Sequence, residues 1–174
     1  MNDWADENAI RACRQGDKKA YSELVQRHYR HVFALCLGML GHVHDAEDVA
    51  QETMLKGFAS IRHLDKPEQF ESWILRIARN LCVDLLRRRK RVKAMAADPE
   101  TAPVQETNDN HDLERALHRL PQELRLPLTM YYLEQKNAKS IAEKLGISPS
   151  LAYQRIREAR SQLHALLTER GPYE

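Results

Sequence analysis

The chain has 174 residues, 43% of them hydrophobic, with 27 basic and 25 acidic side chains and a formal charge of +2. That length buries a genuine core in one domain or in two small ones. No apolar run reaches the roughly 18 residues a membrane span requires, and the acidic start MNDWADENAI is unlike a secretion signal, so a cytoplasmic protein without membrane insertion is expected.

Abundant Leu, Ala, Glu, Arg and Gln, with no alternating run of β-branched residues, predict an all-α fold. From Asp3 to about Val92 the apolar spacing is helical, broken at Gly16-Asp17, from Gly38 to Val43 and from His63 to Gln69, which predicts four helices. Cys13, Cys36 and Cys82 lie far apart among apolar helical neighbours with no C-x-x-C pair, the pattern of buried reduced thiols.

The third helix opens with HDAEDVAQE, in which four carboxylates, an amide and an imidazole fall within nine residues. At 100° per residue Ala46, Ala50, Thr53, Met54, Gly57 and Ile61 share the packing face, and Asp45, Asp48, Gln51 and Glu52 lie opposite it. A dinuclear carboxylate centre needs inward-facing acids and Glu-x-x-His pairs, and the sequence holds no such pair. A general acid needs a pocket to raise its pKa, whereas these groups face solvent. No metal, cofactor or catalytic role is therefore expected. The remaining readings are a solvated ridge, favoured at its start by the helix dipole, and an acidic docking surface.

In the fourth helix, FESWILRIARNLCVDLLRRRKRVK, the residues Phe70, Trp73, Ile74, Ile77, Leu81 and Leu85 recur at core spacing, and Arg76, Arg79, Asn80, Asp84 and the run from Arg87 to Arg91 point away. The segment RRRKRVK at 87–93 holds six basic groups and leaves the rest of the chain net acidic. Such a cationic end suits duplex phosphates, although basic residues at a helix C-terminus are also favoured by the dipole alone.

Residues 94–110, AMAADPETAPVQETNDN, carry two prolines, four acids and no base, which predicts a flexible acidic linker. Helical spacing resumes near Asp112 and breaks at Leu120-Pro121, at Gln135 to Asn137 and at Gly146. In NAKSIAEKLGISPSLAYQRIREAR, Asn137 can cap a short helix from Ala138 to Leu145, Gly146 supplies a left-handed turn, Ser148 caps the next helix and Pro149 opens it. This is the punctuation of a helix-turn-helix. Its second helix buries Ala152, Ile156, Ala159 and Leu163, leaving Ser150, Leu151, Gln154, Arg157 and Glu158 outward, flanked by Tyr153, Arg155 and Arg160. Those outward groups mix readers of base edges with binders of phosphate.

Three segments thus occur in one order: AEDVAQE, then F-x-x-W-I-L-R-I-A-R-N-L-C-V-D-L-L-R-R-R, then SIAEKLGISPSLAYQRIREAR after the linker. Together they resemble the extracytoplasmic-function group of bacterial sigma factors, from about Arg14-Gln15-Gly16-Asp17 to about Leu167. The resemblance implies two small helical domains, a region-2-like domain at 1–93 and a region-4-like domain at 112–174, joined by a linker at 94–111. It implies a non-enzymatic subunit that directs RNA polymerase to promoters. Its partners would be core polymerase, through the clamp helices of the largest subunit, promoter DNA and, in many family members, an anti-sigma factor.

By that resemblance Asp45, Glu47, Asp48, Gln51 and Glu52 dock on the polymerase. His63, Phe70, Arg76, Arg79, Asn80, Asp84, Arg87 and Arg88 read and melt the −10 element, with His63, Phe70 and Trp73 as candidates for holding a flipped base. Ser150, Leu151, Tyr153, Gln154, Arg155, Arg157 and Arg160 meet the −35 element. At roughly 3.3 Å per residue the linker reaches about 60 Å, enough for elements nearly two DNA turns apart. Leu151, Ala152, Tyr153 and Glu158 depart from the family's usual recognition helix, so no particular promoter sequence is implied. Two competing readings are a stand-alone helix-turn-helix regulator and a hydrolase holding metal with Asp45, Asp48, His28, His31, His42 and His44. The latter fails because those histidines are read as lacking partnering carboxylates or as lying in a turn.

Overall fold

The computed structural model describes residues 3–95 and 109–168, and every regular element among them is helical. The first half contains α1 (Asp3–Arg14), α2 (Lys18–Leu40), α3 (Val43–Ser60) and α4 (Phe70–Met95), with short 3-10 turns at Ile61–His63 and Pro67–Gln69. The second contains α5 (Asp109–Arg119), α6 (Gln122–Glu134), α7 (Ala138–Leu145) and α8 (Pro149–Thr168). The residues between Met95 and Asp109, where the flexible linker is expected, lie outside those described.

Local chemistry sets the element ends. Asp17 caps α2 by accepting from the Lys19 and Ala20 amides at 2.8 and 3.4 Å, satisfying donors that have no partner inside the helix. The expected break at Gly38 does not occur. The helix continues to Leu40 and ends at Gly41, whose φ of 78° is the left-handed conformation, with its amide donating to the Leu37 carbonyl at 2.8 Å. Gly38 serves packing instead: a Cβ there would sit 2.6 Å from Thr129 Oγ1 and 2.8 Å from the Leu126 Cα.

α2 is the central helix, burying Tyr21, Leu24, Val32, Leu35, Cys36 and Met39 against α1, α3 and α4. The Tyr21 hydroxyl donates to the Met54 carbonyl at 2.5 Å. On α4 the fully buried stripe is Phe70, Ile74, Ala78 and Cys82, at intervals of four residues. Trp73, Ile77, Leu81 and Leu85, expected in the core, are only half-buried. The small side chains of Ala78 and Cys82 let α4 lie close to α2, and the larger residues flank that seam.

The two halves pack together directly. α6 lies between α2 on one side and α8 on the other, and all seven residues from Leu124 to Met130 are buried, Pro127 among them. Leu126, Met130, Ile141 and Ile156 join the continuous core built on α2, while Leu120, Leu124, Leu128 and Ala159 form a smaller cluster within the second half.

Candidate nucleic-acid and protein interfaces

The acidic ridge follows from the packing of α3. Ala46, Val49, Ala50, Thr53, Met54 and Gly57 are buried, which turns Asp48, Gln51 and Glu52 to solvent, with Glu47 half-exposed. Thr53, the polar member of the buried face, donates its hydroxyl to the Val49 carbonyl at 2.7 Å. Asp45 departs from the expected open ridge: both its oxygens are held by the Arg89 guanidinium at 2.6 Å, and its side chain is 21% exposed. This bidentate pair joins the start of α3 to the cationic end of α4 and raises the Arg89 pKa, first through its hydrogen bond to Asp45. Glu52 pairs with Lys56 at 2.9 Å. The first amide of α3, on Val43, is capped from the other half of the molecule by Glu114 at 2.7 Å.

On α4 the structure exposes Arg76, Arg79, Asn80, Asp84, Arg87 and Arg88 along one face, and His63 is exposed just before the helix. Phe70 is a correction. It is 1% exposed, with its ring 5.0 Å from that of His28 and 5.7 Å from that of Trp73, so it belongs to the core and has no free face for stacking a base. The family resemblance, with its aromatic ring, suggested otherwise; its spacing is in register with the buried stripe.

In the helix-turn-helix, the Asn137 side chain accepts from the Ser140 amide at 2.9 Å, Gly146 has a φ of 67°, and Ser148 Oγ accepts from the Leu151 amide at 3.2 Å. Ala152, Ile156 and Ala159 are buried, with Ile141 and Ala142 of α7 forming the facing core. Ser150, Tyr153, Gln154, Arg157 and Arg160 are exposed, Leu151 and Arg155 half-exposed. Tyr153, at 66% exposure, is a large aromatic left in solvent on that face. Glu158 accepts from Gln162 at 3.1 Å, a bond that turns its carboxylate along the helix.

Sequence reasoning missed the side chains that tie the halves together. Lys144 of α7 lies 2.5 Å from Glu71 of α4 and 2.9 Å from the buried Glu134, and Lys136 approaches the same two carboxylates at 3.2 and 3.7 Å. His31 reaches Glu71 at 3.0 Å. The His31 ring, then the Lys144 and Lys136 ammoniums, hold the Glu71 carboxyl well below the usual carboxylate range, against its partial burial. Burial pulls the Lys144 pKa down, and its bonds to Glu71 and Glu134 more than offset this.

His31, Glu71 and Glu134 offer ligand atoms within 4.8 Å of one another, but the Lys144 ammonium already bridges the two carboxylates, so the donor set reads as a charge-balanced ion-pair cluster. The expectation that His28 and His31 lack carboxylate partners is also corrected, since His28 Nε2 lies 2.7 Å from Asp6. The three cysteines are buried and free. Burial raises the Cys13 pKa, and contact with Cys82, then burial, raises that of Cys36, which disfavours reactive thiolates.

Comparison with known proteins matches residues 24–92 to the Sigma-70 region 2 family and residues 110–163 to the Sigma-70 region 4 family. The chain is 30% identical to the ECF RNA polymerase sigma-E factor of Haemophilus influenzae, over 91% of this chain and 93% of that protein. It is 33% identical to the ECF RNA polymerase sigma factor SigE of Mycolicibacterium smegmatis, covering 88% of this chain but only 65% of that longer relative. With SigW of Bacillus subtilis the identity is 27%, over 92% and 95% of the two chains. Among solved structures, CnrH in complex with the cytosolic domain of CnrY superposes with a TM-score of 0.64 at 24% identity, covering 96% of this chain and 99% of CnrH. RpoE of Bartonella quintana, in complex with the anti-sigma factor NepR, gives a TM-score of 0.64 at 19% identity, covering 88% and 99%. The two structural likenesses speak to the fold.

Proposed function

This chain belongs to the extracytoplasmic-function group of the sigma-70 family, and from that premise we propose that its three charged surfaces divide the work of a promoter-recognition subunit of RNA polymerase. The observation that carries the reading is that α3, α4 and α8 each turn one face to the core and leave the opposite face polar and exposed. It needs no catalytic group of its own, because polymerase supplies the chemistry.

Asp48, Gln51 and Glu52, with Glu47 at the margin, form the polymerase-docking ridge. A basic helical partner such as the clamp helices of the largest subunit meets carboxylates there, which supply steering and register. Asp45 joins them by exchanging Arg89 for a basic group of the partner, one charge-assisted pair replacing another.

His63, Arg76, Arg79, Asn80, Asp84, Arg87 and Arg88 contact the −10 element. The arginines hold backbone phosphates while His63, Asn80 and Asp84 offer polar groups to the edges of unstacked bases. The outward side chains of α8 enter the major groove of the −35 element: Arg155, Arg157 and Arg160 on phosphates or guanines, Gln154 on adenine, and Ser150, Leu151 and Tyr153 along the groove wall. Work on the chromosome places the protein in the cytoplasm. CnrH and RpoE are each held by a partner, CnrY and the anti-sigma factor NepR, and a sequestering partner of that kind is proposed for this chain.

Run-off transcription with core polymerase on a genomic fragment library tests the reading and yields promoter sequences together. The Asp48→Lys/Glu52→Lys double variant is expected to abolish association with core in a pull-down while helix content is unchanged. Undiminished association overturns the docking assignment, and tight sequence-specific DNA binding by the isolated chain supports a stand-alone regulator instead.

A further inference from the structure

Among the described residues, one set of three side chains brings metal-ligating atoms within 4.8 Å of one another: His31 of α2, Glu71 in the first turn of α4 and Glu134 at the end of α6. Hydrogen bonding around this set is incomplete. The Glu134 side chain is 0% exposed, and its Oε2 takes the Lys144 ammonium at 2.9 Å while its Oε1 has no donor. His31 Nδ1 is also sealed from solvent and lies 3.0 Å from Glu71 Oε1 without the alignment of a hydrogen bond. Three buried side-chain atoms are stranded in this way among the described residues, and apart from His28 Nδ1 they belong to this one set.

A carboxylate oxygen sealed away without a donor is costly, and the lysine on Oε2 leaves Oε1 unsatisfied. A divalent transition-metal ion differs from an ammonium in two respects that matter here. It carries twice the charge, and it takes the lone pair of a neutral imidazole together with carboxylate oxygens. Ligand atoms around tetrahedral Zn²⁺, at about 2.0–2.2 Å from the metal, stand roughly 3.4 Å apart, so closure of this set needs only small side-chain rotations.

Lys144 supplies the counter-charge to the two carboxylates, and a way for it to leave is visible. Its side chain is 20% exposed and borders a crevice of about 500 Å³ that also reaches Glu71 and Glu134. Lys136, 3.2 Å from Glu71, is exposed to a similar degree. Flexible four-carbon stems let both ammoniums withdraw to water, and the crevice is the entry path for the ion.

We propose that His31, Glu71 and Glu134 form a binding site for a divalent transition-metal ion of the Zn²⁺ class, which exchanges with the Lys144 ammonium as counter-ion of the two carboxylates. One nitrogen and two oxygen donors leave a fourth position for water. The imidazole favours Zn²⁺, Ni²⁺ or Co²⁺ over Mg²⁺ and Ca²⁺, which prefer oxygen alone. The site stands independently of the sigma-factor reading, and none of its residues belongs to the surfaces assigned there.

Titration of the full chain with Zn²⁺ against a chromophoric chelator is expected to show one equivalent bound with micromolar affinity. His31→Ala and Glu134→Gln are each expected to weaken binding at least about ten-fold, a loss that even outer partners of a metal ligand can cause. Lys144→Ala is expected to tighten binding several-fold, because the competing ammonium is gone; a purely structural ion pair gives no such gain. His44→Ala, which removes an exposed imidazole outside the set, is expected to leave affinity unchanged. Co²⁺ in place of Zn²⁺ is expected to give visible d–d bands without a thiolate charge-transfer band, which separates this site from the cysteines.

No equivalent bound at millimolar Zn²⁺, a bound equivalent that survives both ligand variants, or a thiolate band overturns the site. Unchanged affinity in a folded Lys144→Ala variant overturns the exchange. Helix content is checked for each variant, and should Glu134→Gln or Lys144→Ala unfold, His31→Ala, which removes a ring only partly buried, decides by the same titration.

Discussion

The two halves of the molecule are built from similar helices but secure them differently. The first half closes its core around α2 with its own side chains, among them Ile10, Leu24, Ile74 and Phe70, each at most 1% exposed. The second half has only the small cluster of Leu120, Leu124, Leu128 and Ala159 to itself, and it completes the burial of α6 against α2 of its neighbour. One half is self-sufficient and the other borrows. A module that borrows its partner's core is the one expected to loosen first.

Deleting the same amount of side chain from each core gives the largest contrast. Ile74→Ala is expected to cost about 2–5 kcal/mol and to unfold both halves together, because the second half rests on the first. Leu128→Ala, with a comparable loss, is expected to melt α5 to α8 while residues 3–95 stay protected. Urea denaturation gives the magnitude, and hydrogen exchange by mass spectrometry shows which helices open. Equal loss of protection throughout after Leu128→Ala would break the comparison.

Next in size is Arg125→Met, which keeps the apolar stem and removes the guanidinium. It leaves the carbonyls of Gly38 and Met39 in α2 and of Leu117 and His118 in α5 unpaired in a buried seam, an expected loss of about 1.5–3 kcal/mol. The first-half transition should stay near its wild-type midpoint and the second should move earlier, resolving a single melting curve into two.

The smallest effects are in pH. Burial holds the His28 pKa below its ordinary value of 6.5, although Asp6 pulls the other way. A folded state that prefers the neutral ring is fully stabilised above about pH 6.5 and loses that stability as the pH falls toward the depressed value. Replacing His28 by Asn is expected to flatten the dependence of the first half on pH between about 7.5 and 5.5. Glu71, depressed chiefly by His31 and by the two lysines, acts in another window: its contribution is present above its ordinary value near 4.5 and disappears as acid lowers the pH through its folded-state value. Thermal melts across both windows, with Glu71→Gln as the reference for the second, check which half responds in each.

Much of the candidate site was legible because it depends on periodicity and punctuation. The carboxylates of α3 face away from its alanines wherever the helix is placed, and Asn137, Gly146, Ser148 and Pro149 each specify a backbone conformation through their own side chain or the lack of one. Periodicity already put Phe70 at core spacing, and its assignment to the −10 element came from the resemblance and its aromatic ring; what periodicity left open was the centre of the stripe, which in α4 runs through Ala78 and Cys82 and leaves Trp73, Ile77 and Leu81 at its flanks. Asp45 was taken as free because its partner, Arg89, is 44 residues away, and nothing local marks that pairing.

Local residue chemistry by itself determined the helices, most of their ends, and which face of α3, α4 and α8 would be polar. Tertiary structure alone decided the role of Gly38, the burial of every residue from Leu124 to Met130, and the company kept by Arg125 and Glu71. The reason is physical: a helix's polarity pattern is written in neighbouring residues, whereas close approach and buried charge exist only where a second element supplies the facing backbone or counter-ion.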